Sequence, residues 1–299
     1  MSGLSRRYGA RAAIQSLDLD VKVGDLYGFL GPNGAGKTTA IRCILGLINR
    51  DAGSVSILGD ADPVRQRAEV GAMVETPQFH EWLSGRANLE VACAYAGRGD
   101  ASDVDLALER VGLSDRAREQ VRGYSLGMKQ RLGIARALVG RPKLLILDEP
   151  VNGLDPRGMA EVRTLLKDLV RRDGLTVFVS SHLLAELEGM VNRIGIIDKG
   201  VLRAEGYLNE LLAAAAGRVE VEVGVTDRVA ALAALGRIPE SELLGDGEET
   251  GTLRLSLTGM DAASLNRALV TAGVGVVSLS TRTRSLEDLF LQVTGKDLT

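Results

Sequence analysis

Nowhere in its 299 residues does this chain hold an apolar run near the ~20 residues of a membrane-spanning helix. Its N-terminus also lacks the apolar core of a secretory leader. The expectation is a cytosolic chain whose membrane association, if any, comes through a partner. Cysteine is scarce: Cys43 and Cys93 stand apart, without metal-ligand spacing, and read as small buried hydrophobes in a reducing compartment. Aromatic residues make up only 3%, so aliphatic side chains and alanine must build the core. A net charge of −3 provides no basic surplus, which argues against a dedicated nucleic-acid binder. What remains is an ordinary globular composition, long enough for one large domain or two.

Against that plain background one stretch stands out. Gly31-Pro-Asn-Gly-Ala-Gly-Lys-Thr-Thr39 carries the spacing G-x-x-x-x-G-K-[ST] on Gly31, Gly36, Lys37 and Thr38. The apolar run Leu26–Leu30 precedes it as a short buried strand, and helical spacing of Ile41, Ile44, Leu45 and Ile48 follows it. Strand, loop and helix in that order are the context in which such a loop grips phosphate. Around Asn33, Gly34, Ala35 and Gly36 the small residues let backbone N–H groups turn toward an anion. The helix beginning near Lys37 points its positive end at the same place. Lys37 then reaches the β- and γ-phosphates of a nucleotide, Thr38 can ligate Mg²⁺, and Thr39 closes the loop.

Three further places carry chemistry. Lys143–Asp148 is an apolar run ending in acid, the mark of a central parallel strand. Asp148 at its end can hold a metal's hydration shell, and Glu149 can act as general base or orient the attacking water. His182 follows Ser180-Ser181 at the end of the next strand, where ligands collect in such sheets. Tyr124–Leu132 is a polar turn entering a helix. There Ser125 and Gly127 make either a second anion site or an ordinary helix cap.

The order of elements predicts an α/β fold with a mainly parallel sheet covered on both faces. A strand is expected over Ile14–Val21, short strands over Gly53–Leu58 and Val70–Val74, and helices over Ser84–Ala96, Asp103–Val111 and Leu126–Val139. Those three helices form a block inserted at about 84–140. Helices are expected over Pro156–Arg172 and His182–Met190, and strands over Leu175–Ser180, Arg193–Asp198 and Val201–Glu205. The boundaries read are a nucleotide-binding domain at 1–207, a linking helix at 208–217 and an accessory domain at 218–299. In the last, the order βαββαβ indicates a ferredoxin-like unit closed by a helix over Ser285–Thr294.

Taken together, Gly31–Thr39, Tyr124–Arg131, Leu144–Asp155 and His182 resemble the ordered motifs of the ATP-binding-cassette ATPases across roughly residues 3–206. The resemblance implies a P-loop ATPase fold with an antiparallel β edge and an inserted helical subdomain. It implies that Tyr8 stacks on adenine, and that Ser125 and Gly127 contact the γ-phosphate of ATP held by a facing subunit. Asp155 then lies in the loop along the dimer interface, and His182 is the switch histidine. More narrowly, Ser180–Glu188 and Ser285–Phe290 resemble the exporter branch of bacitracin- and daunorubicin-type multidrug ATPases. That implies an ATPase subunit working as a homodimer beneath a separately encoded integral membrane permease, at the inner face of the cell membrane. Phe79 and Trp82 sit where the permease would dock, as a contact patch if exposed and as core if buried.

Three positions depart from the family pattern. Glu75 stands where a metal-contacting glutamine is usual. The signature reads Tyr-Ser-Leu-Gly-Met, which keeps the serine and the second glycine. The family's first edge strand is missing before Gly3, so that edge is expected to be shortened or to begin upstream. Two rival readings are a related ATPase acting on nucleic acid or ribosomes, and a simpler P-loop kinase or GTPase. The first would need a coiled-coil insert or a tandem cassette, and the second would not explain the Ser125 turn.

Overall fold

The computed structural model describes residues 1–62, 68–215, 219–247, 251–282 and 290. Its chain divides into a first compact unit spanning Met1–Leu208 and a second that begins at Asn209. The first unit opens with strand β1 (Ser2–Tyr8), paired antiparallel with β2 (Arg11–Leu17). This corrects the expectation of a missing edge: seven residues from Ser2 onward form it. Only Leu4 is buried in β1, so the strand shows no alternation to betray it and is held by its ladder instead.

β3 (Leu26–Leu30) is buried at every position and feeds, across the glycine-rich loop, into α1 (Lys37–Ile44). β4 (Ala52–Ser54) adds to the far side of β1, giving a three-stranded sheet β2-β1-β4. The strand expected over Gly53–Leu58 is thus only three residues long. Leu58 and Gly59 take left-handed φ of 53° and 80°, turning the chain so that Ile57 pairs with Asp60.

β5 (Val70–Met73) precedes the helical block, α2 (Gly85–Ala96), α3 (Ala101–Arg110) and α4 (Leu126–Leu138). Ser84 caps α2 through the Ala87 N–H, and Asp100 with Asp103 forms a capping box on α3. β6 (Leu144–Asp148), α5 (Pro156–Asp173) and β7 (Thr176–Ser181) follow. α5 starts with proline after its Asp155 cap and ends on left-handed Gly174. Next, α6 covers only Leu184–Leu187, not His182–Met190 as expected. Leu183 is extended and donates its N–H to Ser181 Oγ, while left-handed Gly189 prevents continuation.

β8 (Arg193–Asp198) and β9 (Val201–Tyr207) close a hairpin through Lys199-Gly200, both at positive φ (50° and 77°). The main sheet runs β5-β6-β7-β3-β8-β9, parallel except for β9. Its scarce aromatics are concentrated: Tyr27 and Phe178 stack at 5.4 Å and 8°, with Phe29 5.4 Å from Phe178.

α7 (Leu208–Ala215) leads to the second unit's strands and helices, β10 (Val219–Val225), α8 (Arg228–Leu235), β11 (Ser241–Asp246), β12 (Thr252–Leu257), α9 (Ala262–Thr271) and β13 (Val276–Arg282). The antiparallel order β11-β12-β10-β13 is that of a ferredoxin-like sheet. Val221, Val223, Leu253, Leu255 and Leu257 pack on Ala231, Leu235, Leu265 and Leu269. Apart from buried Phe290, the closing helix expected over Ser285–Thr294 lies outside the described residues.

Gly71 ties the sheet to the helical block. A Cβ there would stand 1.9 Å from the Ala137 carbonyl oxygen, so β5 and α4 are in backbone contact. Gly71→Ala is therefore expected to destabilise the first unit by about 1–3 kcal/mol. Denaturant unfolding followed by a first-unit probe, the single tryptophan Trp82, measures it.

Candidate active site

At the C-terminal end of β3 the chain must turn sharply inside a crowded sheet. A Cβ on Gly31 would meet the Ile197 carbonyl oxygen at 2.3 Å. Gly36, at φ 110°, would bring one to 2.5 Å from the Ala13 carbonyl oxygen. From behind, the Gly200 N–H donates to the Ala35 carbonyl at 2.8 Å, so the β8–β9 turn braces the loop. Gly36 is the N-cap of α1 and supplies no side-chain acceptor. The first-turn N–H groups, beginning with Lys37, Thr38 and Thr39, therefore keep their capacity for an external anion.

Lys37 is only 5% exposed. Its ammonium donates to the Gly31 carbonyl at 2.7 Å and the Pro32 carbonyl at 3.3 Å, and lies 3.3 Å from Glu149 Oε1. Burial lowers its pKa, and the Glu149 carboxylate opposes that by favouring the charged form. Glycine cradle, uncapped helix end and buried ammonium together fit a polyphosphate.

Two carboxylates end β6. Asp148 is 2% exposed and accepts a hydrogen bond from the Ser180 hydroxyl, its register partner on β7. The same Ser180 oxygen accepts the Glu149 N–H at 3.0 Å. Glu149 takes a left-handed φ of 52°, and its carboxylate meets both Lys37 and His182 Nδ1. A carboxylate only accepts, so Nδ1 carries the hydrogen and Nε2 is left for a second partner. Lys37, Glu149 and His182, read separately along the chain, thus converge on one carboxyl group.

Other expected residues lie in their own settings. Tyr8 ends β1, 48% exposed, with the Arg6 guanidinium 4.9 Å from its ring centroid. Glu75, at φ 62°, pairs with Arg42 of α1. Among the described residues, no group of three His, Cys, Asp or Glu side chains could hold a metal ion. Ser125 accepts the Met128 N–H at 3.2 Å and caps α4, while Asp155 accepts the Gly158 N–H at 2.7 Å and caps α5. A Cβ on Gly127 would find ordinary room, its nearest neighbour Leu154 at 3.8 Å, so packing within the chain does not require glycine. Trp82 is exposed, its ring tilted at 51° to that of His80 with centroids 5.0 Å apart, whereas Phe79 is half-buried beneath the Arg136 guanidinium.

Sequence reasoning passed over Ser180, Ser181 and Glu186. Two hydroxyls ending an otherwise apolar buried strand were the available signal, because buried polar groups require partners. Ser180→Ala leaves the buried Asp148 carboxylate and the Glu149 N–H without this partner. A loss of about 1–3 kcal/mol in unfolding free energy is expected. An unchanged unfolding midpoint would show that water replaces the hydroxyl without cost.

Comparison with known proteins now adds to this geometry. The sequence profile of the family described as ABC transporter matches residues 14–152. The bacitracin transport ATP-binding protein BcrA of Bacillus licheniformis is 39% identical, over 98% of this chain and 95% of its own length. The daunorubicin resistance ATP-binding protein DrrA3 of Streptomyces coeruleorubidus is 37% identical, over 99% of this chain and 96% of its own. Among solved structures, the cassette MJ0796 as a post-hydrolysis dimer bound to ADP and Pi matches with a TM-score of 0.60 and 25% identity, covering 69% of this chain and 97% of that one. The cbiO1 subunit from Clostridium perfringens gives 0.65 at 25% identity, covering 71% of this chain and 89% of that one. The rival readings as a nucleic-acid ATPase or a simple P-loop kinase find no support among these relatives.

Proposed function

We propose a working cycle from one premise: the chain belongs to the ABC transporter family, as one of its transport ATPases. The relatives' names, bacitracin transport and daunorubicin resistance, support a transport role toward such compounds, and the cycle is read as export of a drug, antibiotic peptide or lipid-like compound through a separately encoded permease. One observation carries the mechanism, the meeting of Lys37 and His182 on the Glu149 carboxylate.

When ATP enters, Lys37 exchanges its carbonyl and Glu149 partners for the β- and γ-phosphates. The first-turn N–H groups of α1 take up the phosphate oxygens, and Tyr8 covers the base. Released from the ammonium, Glu149 is free to accept a proton from the attacking water. His182 holds Glu149 through Nδ1–H, and as the imidazolium, with a second hydrogen on Nε2, it also donates to a γ-phosphate oxygen. Thr38 and Asp148 would hold Mg²⁺, which would supply neutralisation of the phosphate charge. Glu75 joins that shell only by leaving Arg42.

Ser125, Gly127 and Asp155 complete the site on a second copy. Each sits at a helix N-terminus, and Ser125 and Asp155 cap their own helices. ATP binds the closed homodimer more tightly because its γ-phosphate gains these contacts. Hydrolysis removes the bridge and the copies part. The exposed Trp82 ring and the half-buried Phe79 supply the permease contact, at the inner face of the membrane. Among the described residues no helix is long and apolar enough to cross a membrane, so the span belongs to that partner.

Glu149→Gln is expected to lower ATP turnover by about 10²–10⁴-fold while accumulating ATP-dependent dimers. Light scattering with and without ATP reads the dimer, and normal hydrolysis by that variant would remove Glu149 as base. Trp82→Ala is expected to leave nucleotide affinity within about twofold and to lower transport in the reconstituted complex. Equal loss of both would make Trp82 a packing residue.

A further inference from the structure

We propose that Arg11 is a nucleotide-binding residue: its guanidinium takes the α-phosphate, between the base on Tyr8 and the β- and γ-phosphates on the loop around Lys37. The inference rests on the roles given above to Tyr8 and to that loop. Across the turn between β1 and β2, Arg11 is the register partner of Tyr8, so the cation starts out beside the residue that receives the base. From there β2 runs along the phosphate loop. Arg11 Nη2 donates to the Gly34 carbonyl at 3.5 Å. Two residues on, the Ala13 carbonyl oxygen comes within 2.5 Å of where a Cβ on Gly36 would stand. A nucleotide laid from Tyr8 onto this loop passes Arg11 with its ribose and its α-phosphate. Of those two, a guanidinium selects the anion.

The β1–β2 hairpin carries three arginines, and two of them are committed. Arg6 pairs with Asp51 and lies over the Tyr8 ring, and Arg7 Nη2 donates to the Ala10 carbonyl. Arg11 is exposed, and among the described residues its side chain has the Gly34 bond and no carboxylate partner. At 3.5 Å to a neutral carbonyl that bond is weak. A guanidinium–phosphate pair is shorter, charge-assisted and able to use two N–H groups at once. No ion pair has to break for the exchange to happen. Charge balance favours it too: a triphosphate brings several negative charges, and Lys37 already lies against Glu149. The Gly34 carbonyl meanwhile keeps the cation at the loop, which limits the freedom lost when the anion arrives.

The test is the affinity of the full chain for ATP, ADP and AMP, measured by displacement of a fluorescent ATP analogue, for wild type, Arg11→Ala, Arg11→Lys and Lys37→Ala. Arg11→Ala is expected to weaken all three nucleotides by a similar factor, about three- to tenfold, because each carries an α-phosphate. The loss should shrink as salt is raised. Arg11→Lys keeps the charge without the fork and should recover part of it. In ATP turnover, Arg11→Ala should raise KM by the same factor and hold kcat within about twofold, since the contact is made equally in the ground and transition states. An alanine variant that binds all three nucleotides within about twofold of wild type overturns the proposal. So does a loss that spares AMP, which would put the cation at the β- or γ-phosphate. A lower melting temperature with no recovery in Arg11→Lys also overturns it, making Arg11 a brace for the hairpin. Lys37→Ala separates the two levels: if it binds ATP as wild type does, the underlying reading of the loop fails first. If it loses ATP while Arg11→Ala keeps all three nucleotides, only the role of Arg11 falls.

Discussion

A lysine ammonium that is 5% exposed has to be neutralised by the protein around it, and this requirement organises the site. Two backbone carbonyls and the Glu149 carboxylate meet it. The carbonyls are available only because Gly31 turns where no side chain fits, beneath Ile197. The carboxylate is available only because Glu149 leaves β6 through a left-handed residue, a conformation of small but real cost. Removing one partner of such a pair leaves a buried charge, which costs far more than the pair itself contributes. A phosphate group meets the same need better than the carbonyls do. The arrangement thus holds Lys37 in place and leaves it ready to exchange partners.

β7 acts as the rigid template for this exchange. It is buried at all six positions and hydrogen-bonded on both sides, to β6 and to β3. Its two terminal serines serve different neighbours. Ser180 holds Asp148 and the Glu149 N–H, whereas Ser181 holds Leu183 and, through its carbonyl, Gly31. Placing the acid, the histidine and the loop on adjacent parallel strands fixes their separations by the sheet spacing. Loops alone would have to specify those distances at greater entropic cost.

Much of this was legible in the sequence because its signals are local. The strand–loop–helix around Lys37, the acid at the end of Leu144–Asp148 and the helix starts at Ser84 and Pro156 each depend on a few neighbouring residues. What escaped was non-local. β1 is held by ladders to β2 and β4 rather than by alternation, so its pattern was silent. Helix α6 stops short because a side chain two residues before Leu183 takes its N–H. Glu75 was assigned by alignment to a metal shell, but its salt bridge to Arg42 crosses 33 residues and leaves no trace in spacing. Glu186 reads as an ordinary surface acid on a short helix until its burial is known.

The helix-terminal residues Ser125, Gly127 and Asp155 bear on the proposed site shared between copies. Serine at an N-cap needs no further ligand, and Asp155 on α5 is equally self-sufficient. Gly127, however, is explained by neither a positive φ nor a close internal neighbour. Glycine is a poorer helix former than alanine, with less of that cost felt on the first turn, where Gly127 stands, than in the interior. A residue that weakens its own helix and relieves no clash inside the chain makes sense where something outside must approach the backbone. A capped helix end with an open glycine on its first turn offers N–H groups and a positive dipole to that visitor. The phosphate held by a second copy of Lys37 has the charge and the size to be it.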